Sequence, residues 1–257
     1  MVILTLGDRT VKIDSGELVS FIVQGHEYIH QKGSPGWRNS DTEMFPIIGP
    51  TAEAEYLVKT PKGNAVQDQH GMLREMEYEL VEQSESKVMF QKSYIADTKV
   101  ENSKYPDKSS VGILYWPYDF KLEKQFELSE RGLIITFKIF GEKGMPFMLG
   151  YHPAFKIHTE QPSIVTEDRI VSLSEVLQVG NRALHLQNCE SLVLQDSKGL
   201  SIKTHGFGNF MLWTEASNMI CIEPITFYPY AVPQQNLDEG FMFLEKNEAE
   251  FVVQIIP

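Results

Sequence analysis

The hydrophobic and polar positions of this chain fall into short runs of β character separated by Gly, Pro, Asn or charged turns. Residues 2–6, 18–23, 87–91, 118–126, 133–140, 191–194, 210–214, 219–223, 241–244 and 250–256 carry them. The segment 133–140, LIITFKIF, crowds β-branched and aromatic residues between Arg131-Gly132 and Gly141, which is strand composition. The stretch KLEKQFE at 121–127 is polar enough to predict a solvated sheet face. No long segment carries a 3.6-residue period. The best helical candidate, 71–81, competes with a strand beginning at Met76, and 172–176 predicts a single turn. Many short strands without intervening amphipathic helices predict an all-β sandwich or barrel. The most loop-like stretch, 97–110, does not read as a boundary, because strand patterning resumes directly after it. No linker or internal repeat is visible, so a single domain over 1–257 is expected.

Composition narrows the function classes. The 257 residues are 42% hydrophobic and 11% aromatic, a globular make-up suited to sheets. A net charge of −12 with no basic stripe argues against nucleic-acid binding, which requires neutralised phosphates. The apolar runs are far below membrane-spanning length. The N-terminal MVILTLGDRTVKID lacks a charged leader region and a small-residue cleavage site. With Cys189 and Cys221 as the cysteines, a reducing compartment is expected, and the protein is read as cytoplasmic.

Four places carry candidate chemistry. His26-Glu27-Tyr28-Ile29-His30 matches H-E-x-x-H, but zinc-protease chemistry needs that motif on a helix. Here it follows a strand and Gln24-Gly25, and on an extended chain residues four apart are roughly 13 Å apart. A hairpin with two exposed histidines is expected instead. His70 precedes Gly71, which permits backbone angles able to aim the imidazole into a pocket. His152 ends a hydrophobic run directly before Pro153 and is held towards extended geometry; a satisfied core histidine is the competing reading. Glu223 terminates the apolar run MICIE before Pro224, where a carboxylate is costly unless paired or functional. Residues so far apart in sequence, each beside a Gly or Pro, fit a site assembled from distant strands.

In order along the chain, these segments resemble the aldose 1-epimerase family, most closely its branch with LacX-like proteins and hexose-6-phosphate 1-epimerases. The resemblance rests on Gly25-His26-Glu27-Tyr28-Ile29 with Trp37, Phe45-Pro46-Ile47-Ile48-Gly49, and His70-Gly71 followed by Arg74. It rests further on Gly150-Tyr151-His152-Pro153-Ala154-Phe155 and Cys221-Ile222-Glu223-Pro224. It implies a large antiparallel β-sandwich of the galactose mutarotase-like type, with few short helical turns, whose concave face binds a hexose or hexose phosphate. It implies interconversion of α and β anomers through a ring-opened intermediate with no cofactor and no metal. Glu223 would be the base at the anomeric hydroxyl, His152 the acid at the ring oxygen, and His70 a substrate hydrogen-bonding group. Where the family places a sugar-contacting arginine this chain has Pro50; Arg74 is favoured over Arg38 as its substitute. Ile225-Thr226-Phe227 replaces the family's Trp and Gly after Pro224, and no equivalent of its substrate-binding aspartate is found.

The chemistry also suits the residues on their own terms, since mutarotation removes one proton and delivers another. Trp37, Trp213, Tyr151 and Phe155 offer apolar faces to a sugar ring but read first as core; Trp213 is carried into the expected substrate site. Two readings compete: a sugar-binding protein of the same fold without turnover, and a metalloenzyme using two His and one Glu. The expected partner is a small sugar, with no nucleic acid and no membrane. Oligomeric state is left open.

Overall fold

A computed structural model of the protein describes residues 1–37 and 42–257; Arg38 lies outside the described residues. Among the described residues the strands form two large antiparallel layers and several smaller sheets. Across the larger layer the order is Ile170–Ser172, Ser163–Val165, Ser191–Gln195, Leu200–His205, Glu248–Ile256, Gly132–Gly141, Phe120–Ser129, Lys87–Tyr94 and Glu79–Gln83. The second layer runs Leu184–Leu186, Asn209–Trp213, Met219–Ile225, Gly150–His152 and Thr42–Met44, with Ala154–Lys156 also paired to Met219–Ile225. An N-terminal meander of Val2–Leu6, Arg9–Asp14, Glu17–Val23 and His26–Glu27 completes the main β structure. This is an all-β sandwich.

Alternation builds the core between the layers. Phe120, Leu122, Phe126 and Leu128 point inwards from one strand, and Leu133, Ile135, Phe137 and Ile139 from its partner. Each such side chain, fully buried, contributes about 1.5–3 kcal/mol. Facing residues come from the second layer and its connections: Phe137 meets Tyr151 at 5.2 Å between ring centroids, and Phe120 meets Phe45 at 4.9 Å. No helix of the described residues is long and apolar enough to cross a membrane.

The structure corrects several local expectations. The stretch 121–127 has one solvent-facing side, Lys121, Glu123, Gln125 and Glu127, but Lys124 is 0% exposed, in line with Phe120, Leu122, Phe126 and Leu128. Its Nζ lies 2.6 Å from Oε1 of Glu43, itself buried in the opposite layer. Burial alone pushes the Glu43 carboxyl up, but the charges of Lys124 and Lys92 outweigh it and hold the group below the ordinary carboxylate range. Residues 71–81 give only a short 3₁₀ turn, Leu73–Glu75, before the strand Glu79–Gln83, so the β pattern after Met76 wins. The expected turn at 172–176 extends to the helix Leu173–Val179, because Ser172 and Glu175 form a reciprocal capping box. The run 241–244 shrinks to the exposed strand Met242–Phe243.

The H-E-x-x-H segment is extended, as its context predicts. Gln24 and Gly25 both take positive φ and turn the chain into the His26–Glu27 strand. The expectation of two exposed histidines fails, however. His30 is buried and bonds the Pro35 carbonyl at 3.1 Å, while His26 packs against His158 at 4.2 Å between rings. Apolar neighbours and a backbone acceptor satisfy them.

Replacing Lys124 by Met would remove the ion-pair partner of buried Glu43 and leave it only the Lys92 charge and the Tyr78 hydroxyl, at an expected cost of about 3 kcal/mol in chemical denaturation. A Lys124→Met/Glu43→Leu double variant should recover most of that loss, because it removes both charges together.

Candidate functional site

Glu223 and His152 meet where the sheet cannot complete its ladder. The strand Met219–Ile225 pairs with Ala154 at Cys221 and with Gly150 at Ile225. Between those pairs lie Pro153 on one side and Pro224 on the other, each lacking an N–H for the ladder. Glu223 therefore does not end its strand, which runs on through Ile225. In the gap, Nε2 of His152 stands 3.3 Å from Oε1 of Glu223. Trp37 stacks on the His152 ring at 5.2 Å, and Trp213 approaches it edge-on at 6.1 Å.

His70 enters from a loop under strong local constraint. His70 and Gly71 both have positive φ, 75° and 70°. A Cβ on Gly71 would lie 2.2 Å from the Phe45 carbonyl oxygen, so glycine is required there. The His70 backbone N–H donates to Ile48 O at 3.1 Å, and Nδ1 contacts the same oxygen at 3.0 Å. A carbonyl only accepts, so Nδ1 carries the proton and Nε2 of the neutral ring is an acceptor. The His70 and His152 rings meet edge to face at 5.5 Å. Arg74 follows in the turn Leu73–Glu75 and donates from Nη2 to Oγ1 of Thr42 at 3.0 Å.

The structure brings all five candidate residues, His70, Arg74, His152, Trp213 and Glu223, to one cavity of about 350 Å³. Pro50 lines the same cavity as Arg74. Trp37 joins the wall, whereas Tyr151 and Phe155 lie in the main core on the other side of the sheet. Sequence reasoning missed Gln69, Asn181 and Tyr230, which also line the cavity. Gln69 was signalled by its place before His70; nothing local marks the other two, which come from connections after Val179 and Ile225.

Electrostatics sets the proton inventory. Burial pushes the Glu223 carboxyl well above its ordinary range, although Arg74 pulls against it. Burial, with help from the Arg74 charge, pushes His152 down to about 3. His70 is driven well below its ordinary value by burial and then by Arg74 and His152. Burial therefore favours the neutral form of both groups, the carboxyl keeping its proton and the imidazole carrying no charge.

The chain belongs to the aldose 1-epimerase family, whose profile matches residues 16–197. Protein LacX (plasmid) of Lactococcus lactis subsp. lactis is 24% identical, over 91% of this chain and 86% of its own length. A galactose mutarotase-like protein from Lactobacillus casei ATCC 334 superposes with a TM-score of 0.81 at 16% identity, covering 100% of this chain and 99% of that one. A galactose mutarotase related enzyme from Lactobacillus acidophilus gives a TM-score of 0.77 at 17% identity, covering 100% and 97%. These structures share the fold. The family match ends before Glu223, so that residue's place rests on geometry.

The raised Glu223 pKa has a stability consequence of definite sign. The unfolded carboxyl ionises near its ordinary value while the folded one keeps its proton, so its contribution to stability is lost as pH rises from there towards the folded pKa. Glu223→Gln does not titrate. Its thermal stability should match the parent near pH 4 and exceed it increasingly towards neutrality. Equal pH dependence in the two proteins would contradict the assigned burial.

Proposed function

We propose that the protein is a cofactor-independent aldose 1-epimerase that interconverts the α and β anomers of a hexose or hexose phosphate. The observation that carries this reading is the 3.3 Å contact between His152 and Glu223 on the wall of a cavity sized for a sugar. Burial favours the proton on Glu223; moved to His152 it gives a carboxylate base and an imidazolium acid. The Glu223 carboxylate then takes the proton of the anomeric hydroxyl. The C1–O double bond forms as the bond from C1 to the ring oxygen breaks, and the ring oxygen takes its electron pair and the proton from His152. Rotation about C1–C2 and the reverse transfers close the ring with either configuration.

The surrounding residues suit that cycle. Arg74 favours ionised Glu223 and offers donors to a sugar oxygen, and its Nε is buried with no hydrogen-bond partner among the described residues. His70, fixed as an acceptor at Nε2, takes a sugar hydroxyl as donor. Trp37 and Trp213 supply apolar surface for a ring face.

The deciding experiment follows optical rotation of freshly dissolved α-glucose, α-galactose and their 6-phosphates. The protein should accelerate relaxation of at least one of them, and Glu223→Gln should lower that rate by roughly 10³-fold or more, the scale of lost acid–base catalysis. Saturable sugar binding with no acceleration would leave a binding protein of the same fold.

The pH profile has a worked-out sign. The pair needs one proton: a second is gained only near or below pH 3, and the first is lost above the raised Glu223 value. The kcat/KM profile should therefore hold down to about pH 3 and fall as pH rises through the raised Glu223 value. Arg74→Met removes the charge that favours ionised Glu223, so it should move this upper limb to higher pH while weakening KM. A limb that does not move would separate Arg74 from the pair.

A further inference from the structure

Cys221 stands beside the acid–base pair and takes no part in ring opening. It lies two residues before Glu223 on the same strand, so alternation places its thiol on the face of that carboxylate. The register agrees: Cys221 stands opposite Trp213 and Glu223 opposite Met211, and Trp213 and Met211 both line the cavity. On the other side Cys221 pairs with Ala154, two residues beyond His152. An imidazole nitrogen of His152, Sγ of Cys221 and a carboxylate oxygen of Glu223 all lie within 4.8 Å of one another. Trp37, Ala154 and Met219 pack around the thiol, and Cys221 is 0% exposed.

We infer that His152, Cys221 and Glu223 form a chelating site for a thiophilic divalent cation of the zinc or cadmium kind, and that the bound ion switches the cavity off. Imidazole and thiolate suit such ions, and they discriminate against magnesium and calcium, which take oxygen ligands. Three protein donors leave a fourth position for water or a sugar hydroxyl. Metal–ligand bonds of about 2.0–2.3 Å put tetrahedral donors roughly 3.3–3.8 Å apart, so the three groups need to close by about 1 Å. Side-chain torsions of Cys221 and Glu223 can supply that movement. On binding, the thiol and the shared carboxyl proton are released to solvent, a metal–sulfur and a metal–oxygen bond form, and nothing is oxidised or reduced. The ion then occupies the lone pairs that the proton transfers require. The switching-off rests on the epimerase reading; the binding itself does not.

The test keeps those two apart. Cadmium is titrated into the full chain under a non-thiol reductant, and the ultraviolet thiolate-to-cadmium charge-transfer band is followed. Cys189, half-buried and bonded to the Ser191 carbonyl, is the other thiol, and Cys189→Ser serves as the control. The band should reach one equivalent in the parent and in Cys189→Ser and be absent from both Cys221→Ser and Cys221→Ala. Glu223→Gln, which retains the thiol, should weaken cadmium by roughly tenfold or more. In parallel, zinc should suppress mutarotation in the parent and Cys189→Ser, each measured against its own metal-free rate, and spare Cys221→Ser; magnesium should do nothing. A band that never forms, or one that survives loss of Cys221, overturns the site. A band without suppression overturns the switch, and if the protein shows no mutarotation the band alone decides for or against the site.

Discussion

The buried ion pair of Lys124 with Glu43 is the constraint on which the site's geometry depends. It joins the two layers through their interior, where an unpaired charge would cost several kcal/mol. Glu43 sits in the short strand Thr42–Met44, and that strand has two further duties. Thr42 stands opposite His152 in the ladder and accepts the hydrogen bond that holds Arg74. One three-residue strand, fixed from beneath by a charge pair, thus sets both the imidazole and the guanidinium of the cavity. Replacing the pair by apolar residues can preserve stability without preserving that alignment.

Above this anchor, burial does most of the electrostatic work. It raises Glu223 and lowers His152, so burial favours the neutral forms of the two groups that must exchange a proton. Their ion-paired form has the same proton count and differs by one transfer across 3.3 Å. Arg74 biases that balance from the edge of the cavity, opposing the rise of Glu223 and deepening the fall of both histidines. The cost is stored in the fold: an ionisable carboxyl is kept from ionising, and stability is given up for a reactive pair.

Local rules made much of the fold legible. Alternation with β-branched and aromatic residues located the long strands 133–140 and 250–256, and Gly71 beside His70 pointed to unusual backbone angles, which the positive φ of both residues bears out. The Pro residues after His152 and Glu223 marked the gap in the sheet. Polarity misled at Lys124, because a lone lysine in an alternating strand looks solvated until its partner is known, and Glu43 lies far away in sequence. It misled equally at His30, whose acceptor is a carbonyl in a nearby turn.

The sequence by itself determined the class of architecture, the family to which the chain belongs, and His70, Arg74, His152 and Glu223 as candidates tied to a neighbouring Gly or Pro or a recognisable segment, with Trp213 offered only as an aromatic face. Only the tertiary structure decided that these five face one cavity, that Arg74 and Pro50 line it together, and that Cys221 stands within reach of the pair. The reason is physical. Periodicity and turn chemistry act over a few residues and are written locally. Distances between His152, Cys221 and Glu223 are fixed by strand register and by the packing of two layers, which no single segment encodes.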